Sequence, residues 1–87
     1  MKYPVVVILW EDHIHFDRSP IIDTPSRAFS KPVLSAGILY KEDKKAVIVI
    51  SDIERYDEHD EASYTVILKS AIIATKVYGK IKIKSLR

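Results

Sequence analysis

The stretch VVVILW, residues 5–10, decides how the rest of the chain is interpreted. Alternate residues of a β-strand point to opposite faces, so a short run without a polar residue predicts a strand that is buried on both sides. Trp10 has the same parity as Val6 and Ile8, and we therefore expect it to be mostly buried in the core. The fold is built outward from this central strand.

Four further segments have strand character: residues 33–40, 46–51, 64–68 and 77–84. The last of them alternates, which predicts one inward set and one outward set. The inward set is Val77, Gly79, Ile81 and Ile83, and the outward set is Tyr78, Lys80, Lys82 and Lys84. Gly37 inside the second segment predicts a bulge or a sharp bend.

The connections differ in length and in character. Residues 18–32 form a long irregular connection with three prolines, which Ile21, Ile22 and Phe29 are expected to attach to the core. Residues 41–45 are a polar connector of hairpin length, and residues 70–74 predict a short 3₁₀-type turn. Residues 53–62 predict a charged loop, with room for one helical turn because Ser51 and Glu54 have capping-box spacing.

These elements predict one all-β domain over residues 1–87, a small five-stranded barrel of the Src-homology-three-like or Sm-like type. The alternative is an α+β fold in which residues 65–78 form a helix. The many β-branched residues of that segment argue against a helix.

Composition adds weaker predictions. The chain has no cysteine, which excludes disulfides and thiolate chemistry, and no apolar run long enough to span a bilayer, so we expect a cytoplasmic protein. It has neither Asn nor Gln and is rich in Ile and Lys, a pattern typical of thermophiles. Drift in an AT-rich genome is the alternative, although such drift would also enrich Asn.

Charge is distributed unevenly, although its net value is only +2. Acidic residues cluster within 52–61, and basic residues dominate the last strand and the tail. Opposed patches can steer a charged partner or favour contact between copies of the chain, and more often they are simply solvated faces.

Three groups of residues are candidate sites. His13, His15 and Asp17 would lie on one face of a strand, and with His59 or Glu11 they could bind Zn²⁺. Lys80, Lys82 and Lys84 with Tyr78 could track a nucleic-acid backbone, or they could only protect an edge strand from aggregation. The proline-rich loop with Tyr40, Tyr56, Tyr78 and Phe29 could form a peptide groove.

An enzyme is not expected. The chain has no Gly-x-Ser-x-Gly motif, and two glycines are too few for a phosphate-binding loop. The paired acids Asp57, Glu58, Asp60 and Glu61 fall in the predicted loop, where nothing raises the pKa of a carboxylate for acid catalysis. No cofactor is therefore expected, with Zn²⁺ as the least favoured exception.

Short motifs resemble those of a group of small uncharacterised proteins often associated with phages and other mobile elements. The motifs are Trp10-Glu11-Asp12, then Ser35-Ala36-Gly37-Ile38-Leu39, then Ile67-Leu68-Lys69-Ser70-Ala71-Ile72. The chain departs from that group in having Lys69 where a proline commonly precedes the turn, and in its His-rich stretch. The resemblance implies a barrel and no known chemistry.

The sequence favours a non-enzymatic interaction module that binds another protein or itself. The alternative is a nucleic-acid-binding barrel that uses the last-strand lysines, and metal binding through His13, His15 and Asp17 is a more distant one.

Depletion of thermolabile residues predicts high thermal stability. We expect thermal unfolding, followed by circular dichroism, to have its midpoint above about 80 °C, beyond the range of most mesophile domains. A midpoint near 50 °C would remove the thermophile interpretation.

Overall fold

The computed structural model describes residues 1–12, 20–21 and 31–86 and contains five β-strands. The strands are β1 (Lys2–Asp12), β2 (Lys31–Glu42), β3 (Ala46–Arg55), β4 (Asp60–Leu68) and β5 (Ile72–Lys82). They form one sheet in the order β4-β3-β2-β1-β5, in which every neighbouring pair is antiparallel. The all-β prediction is confirmed, and β1 is an interior strand as expected.

The charged loop predicted at residues 53–62 is wrong. β3 continues to Arg55 and β4 begins at Asp60, so a short turn joins them, closed by the Tyr56 N–H, which donates to the His59 carbonyl at 2.9 Å. Ladder pairs such as Ile53 with Ala62 extend the hairpin to the turn. Cross-strand pairing here outweighs the low strand propensity of acidic residues. Residues 65–78 are strand, 3₁₀ turn and strand, which also excludes the helical alternative.

The 3₁₀ turn Lys69–Ala71 joins two strands that lie at opposite edges of the sheet. Glu42 of β2 is level with Ile67, one residue before the end of β4, whereas Val33 of β2 is level with Ile72 at the start of β5. In a flat sheet these points would be about 35 Å apart. Four residue steps from Leu68 to Ile72 span at most ~14 Å. The sheet therefore curls enough to bring the end of β4 close to the start of β5, and the described residues include no β4–β5 ladder.

The core lies on one face of this curled sheet, which we call the core face. It consists of buried apolar side chains from three strands: Val6, Ile8, Val47, Val49 and Ile67. Trp10 packs against this cluster, on the same face as Val6 and Ile8, as the alternation predicts. Its Nε1–H donates to Ser35 Oγ at 3.0 Å. It is only partly buried, because it lies near the end of β1, beyond the cluster.

The opposite face, which we call the second face, is also apolar over β1, β3 and β4. Tyr3 and Ile50 are buried there, and the rings of Tyr3 and Tyr40 have their centroids 5.9 Å apart. Val5, Val7 and Leu9 are half-buried. The prediction of apolar side chains on both faces of β1 is confirmed.

Gly37 marks a close approach between backbones. A Cβ on Gly37 would overlap the carbonyl oxygen of Ile50, and the residue has φ of 159°. The β2–β3 ladder also ends here, at Ile38 and Ile50. The register shift in β2 lies between Leu39 and Lys41, so the predicted irregularity falls near Gly37 but not on it.

A second irregularity divides β5. Between Val77 and Lys80, β5 advances three residues while β1 advances two, and Gly79 within this bulge has φ of 115°. Val77 consequently faces the same side as Val6, and Ile81 the same side as Tyr3, which are opposite faces of β1. A single inward set on the last strand is therefore wrong, and both side chains are about half exposed because β5 is an edge strand.

The β2–β3 turn is held by Asp43. Its carboxylate accepts the backbone N–H groups of Lys45 and Ala46 at 2.8 and 2.9 Å, and these bonds hold the pKa of Asp43 below its usual range. The predicted polar connector is confirmed as a tight hairpin turn.

Most of the predicted connection 18–32 lies outside the described residues, including Ile22 and Phe29. Ile21 is described and is 99% exposed. Its predicted attachment to the core is wrong.

We predict that Gly37→Ala destabilises the fold more than Gly79→Ala does. Both glycines have a φ that other residues rarely adopt, which costs an alanine about 1–3 kcal/mol, but only at position 37 does the new methyl group meet backbone. Urea unfolding should give a loss of roughly 3 kcal/mol or more for Gly37→Ala. Equal losses for the two variants would contradict the close approach.

Candidate interaction surface

A groove of about 360 Å³ opens on the second face over the β3–β4 hairpin. We call it the hairpin groove. Its walls are mainly apolar side chains from the hairpin, from β2 and from the C-terminal tail: Tyr40, Ile48, Ile50, Ile53, Asp60, Ala62, Tyr64 and Leu86. An apolar concavity with few polar groups is typical of a binding surface.

Arg55 fixes the C-terminal tail against the hairpin. Its Nη1 and Nη2 donate to the carbonyl oxygens of Lys84 and Ser85 at 2.8 and 2.7 Å. Its Nε lies 3.2 Å from Oδ1 of Asp60, a side chain that is only 6% exposed. All three guanidinium nitrogens are thus engaged, and the tail is held where Leu86 can form part of the groove wall.

An exposed apolar row continues from the groove along β4. Tyr64, Val66 and Leu68 are 62%, 55% and 53% exposed, and they lie on the second face, opposite Ile50, Ile48 and Ala46 of β3. Groove and row together form one apolar surface. Contiguous apolar surfaces of this kind commonly mark a site of contact with another protein.

The two edges of the sheet differ in charge. β4 carries no charged side chain from residue 62 to residue 68, and no strand in the described part of the chain pairs with its outer edge. β5 carries Lys76, Lys80 and Lys82 and is interrupted by the bulge. Lysines and bulges are the features that protect an edge strand from further pairing. β4 has no lysine, and the register shift in its ladder places the extra residue, Ser51, on β3 and not on β4.

The predicted lysine stripe is divided by the same bulge. Register places Lys80 and Lys82 on the side of Pro4 and Lys2. Tyr78 instead adjoins Lys76, whose Nζ lies 5.0 Å from the centroid of the tyrosine ring. Lys84 lies beyond the end of β5. The four predicted residues do not share one face, so stacking and phosphate contact are separated.

The turn of the β3–β4 hairpin contains His59, one of the predicted metal ligands. Its Nε2 lies 3.0 Å from Oε2 of Glu61, and its ring stacks on Tyr56 at 4.9 Å. The Tyr56 hydroxyl donates to Glu54 at 2.7 Å, which raises the pKa of Tyr56. His13, His15 and Asp17 lie outside the described residues. Within the described residues no group of three or more His, Asp or Glu could hold a metal ion.

The predicted aromatic groove is only partly assembled. Tyr40 lines the hairpin groove, whereas Tyr56 lies in the hairpin turn and Tyr78 on β5. Phe29 lies outside the described residues. The sequence analysis did not predict the exposed row Tyr64, Val66 and Leu68.

The segment YTVIL at residues 64–68 has apolar side chains on both faces of the strand, and in an edge strand one of these two sets is left exposed.

Comparisons with family models, with curated proteins and with solved structures give no match for this chain. Across residues 1–12, 20–21 and 31–86, no helix combines the length and apolar character that a membrane crossing needs.

We predict that Arg55→Ala releases the C-terminal tail. The variant loses two charge-assisted hydrogen bonds to backbone carbonyls, so the NMR order parameters of residues 84–86 should fall below about 0.6 and the free energy of unfolding should fall by about 1 kcal/mol. Arg55→Lys should not restore the order of the tail, because one ammonium group cannot reproduce the two parallel bonds of the guanidinium. Lys44→Ala, in an exposed turn, is the control. Unchanged order parameters in Arg55→Ala would contradict the role of Arg55.

Proposed function

We propose that this chain is a non-enzymatic interaction module whose docking surface is the hairpin groove with the adjoining row on β4. The observation that carries the proposal is the exposed row Tyr64, Val66 and Leu68 beside an apolar groove. Water-exposed apolar area of this kind is stabilised when a partner covers it.

The polar groups near the groove support binding rather than chemistry. The carboxylate of Asp60 lies against Arg55, and the rest of that guanidinium holds the tail. Both have structural roles that leave the groove a mainly apolar surface. Such a surface suits apolar side chains of a protein more than a charged substrate.

We further propose that the curled sheet is a partly open barrel of the Src-homology-three-like or Sm-like type. The short 3₁₀ turn before the last strand and the stagger of β4 against β5 support this assignment. Origin in a phage or another mobile element, a hot environment and a cytoplasmic location remain predictions from the sequence.

Nucleic-acid binding through Lys80, Lys82 and Lys84 is the alternative. Its support is the lysine content of β5 and the exposed Tyr78. The bulge in β5 separates Tyr78 from Lys80 and Lys82, and this weakens the nucleic-acid alternative. Contact with the phosphates and stacking on the bases would need one continuous face.

A peptide-display selection tests the proposal. Selected peptides should shift amide resonances of β3 and β4, and Tyr64→Asp should weaken their binding at least tenfold. Tyr78→Asp is the matched control, since it places the same charge at a tyrosine of similar exposure on the other edge, and it should leave binding unchanged.

Two outcomes would overturn the proposal. One is that neither a peptide nor a second copy of the chain binds this surface. The other is salt-sensitive binding of single-stranded oligonucleotides that disappears in the Lys80→Ala, Lys82→Ala, Lys84→Ala triple variant, which would favour the alternative.

A further inference from the structure

We propose that the partner is a second copy of this chain, bound through antiparallel pairing of the two β4 edges into one continuous ten-stranded sheet. The inference rests on the proposed function, since it assigns an occupant to the same surface. In the described structure the β4 edge has unpaired backbone along residues 62–68, which carry no charge, whereas β5 carries lysines and a bulge. Of the two edges, only β4 is suited to accept another strand.

Symmetry limits the possible registers. Two identical antiparallel strands in one sheet are related by a twofold axis perpendicular to the sheet, and residues directly opposite each other must share a face. Since faces alternate with every residue, the axis must pass through a residue position and not between two positions. The candidate centres near the middle of the uncharged segment are Tyr64, Thr65 and Val66.

Charge complementarity selects Thr65 as the centre. In that register Tyr64 lies opposite Val66 of the second copy, Ala62 lies opposite Leu68, and Glu61 lies opposite Lys69. In the single chain Glu61 lies 3.0 Å from His59, and Lys69, the first residue of the 3₁₀ turn after β4, lies 3.0 Å from Glu42. Both side chains are exposed, so in the proposed dimer they exchange these partners for each other across the new edge. The dimer then has two oppositely charged pairs on the core-face side and four apolar pairs on the second face.

The neighbouring registers are worse. A centre at Tyr64 places Asp60 opposite Leu68 and Glu61 opposite Ile67, so two acidic side chains per copy face apolar ones. A centre at Val66 places Lys69 opposite Ser63 and leaves Glu61 without a cation across the edge. Cross-strand pairs of opposite charge are favourable and mismatched ones are not, so Glu61 near the start of β4 and Lys69 just after its end define one register.

Continuity of the apolar surface adds to the argument. Tyr64 forms part of the hairpin groove, and in this register it lies beside Val66 of the second copy. The exposed rows of the two copies therefore merge across the axis. Lateral contact between the two rows covers the flanks of Tyr64, Val66 and Leu68 and removes part of the apolar area that the single chain exposes.

Sedimentation equilibrium of the charge-reversal variants tests the pairing. The wild-type chain should be a dimer, and Glu61→Lys and Lys69→Glu should each weaken it about tenfold by placing like charges opposite each other twice. An equimolar mixture of the two variants should form a heterodimer of wild-type strength, because every cross-edge pair then has opposite charges. Failure of the mixture to associate would overturn the register.

A second pair of variants separates the two edges. Val66→Lys on β4 and Val77→Lys on β5 replace valines of nearly equal exposure, 55% and 58%. The first should produce a monomer with an unchanged far-ultraviolet circular dichroism spectrum, and the second should leave the dimer intact. Dissociation by Val77→Lys with an intact Val66→Lys dimer would assign the contact to the wrong edge and overturn the proposal.

The absence of cysteine gives a direct measurement of register. Under mild oxidation Thr65→Cys should form an intermolecular disulfide, because residue 65 lies opposite itself, and it should do so faster than Tyr64→Cys or Val66→Cys. Faster cross-linking at 64 or 66, or growth of open-ended aggregates instead of a dimer, would overturn this arrangement.

Failure of this inference is distinguishable from failure of the proposed function. A wild-type monomer that still binds selected peptides on β3 and β4 would remove the second copy as partner and leave the interaction module intact. A monomer that binds no peptide there would remove both.

Discussion

The connection between β4 and β5 is the constraint on which the structure depends. Lys69–Ala71 is a single 3₁₀ turn, yet it joins the two edges of a five-stranded antiparallel sheet. A flat sheet would need a connection more than twice as long as the chain provides. Curling is therefore a covalent requirement, and it brings Ile67 of β4 into the same cluster as Val6 and Ile8 of β1, two strands that are not neighbours.

Curling also determines what is left exposed. One face lies inside the curl and holds the core, so the apolar residues of the opposite face need other cover. Tyr40, Met1 and the C-terminal tail cover Tyr3 and part of the hairpin. None of the described elements covers the row on β4, which lies at the edge farthest from β1. The exposed surface is thus a consequence of the topology, and its position on an unprotected edge makes it accessible to a partner.

Local pattern predicted the elements well, because period-two alternation and β-branched residues are local signals. It failed wherever a partner strand determined the outcome. Residues 53–62 are acidic and predict a loop, but ladder pairing and the contact of Arg55 with Asp60 continue the hairpin. Alternation in 77–84 predicts one inward face, but the bulge containing Gly79 reverses it halfway. Curling of the sheet depends on distant edges, for which the sequence has no local signal.

The candidate site shows the same division. The apolar character of the surface can be predicted from the sequence, since YTVIL has no polar side chain except the two hydroxyl groups. The exposure of Tyr64, Val66 and Leu68 cannot, because it follows from the position of β4 at the edge of the sheet. Alternation alone places Lys80, Lys82 and Lys84 on one face of the last strand, because it contains no information on strand order or on the bulge. Once the bulge is included, lysines lie on both sides of β5 and suit it to repel another strand. In the proposed dimer the lysines protect the β5 edge, whereas Glu61 and Lys69 direct pairing to the β4 edge, and a closed dimer is then more favourable than an open-ended assembly.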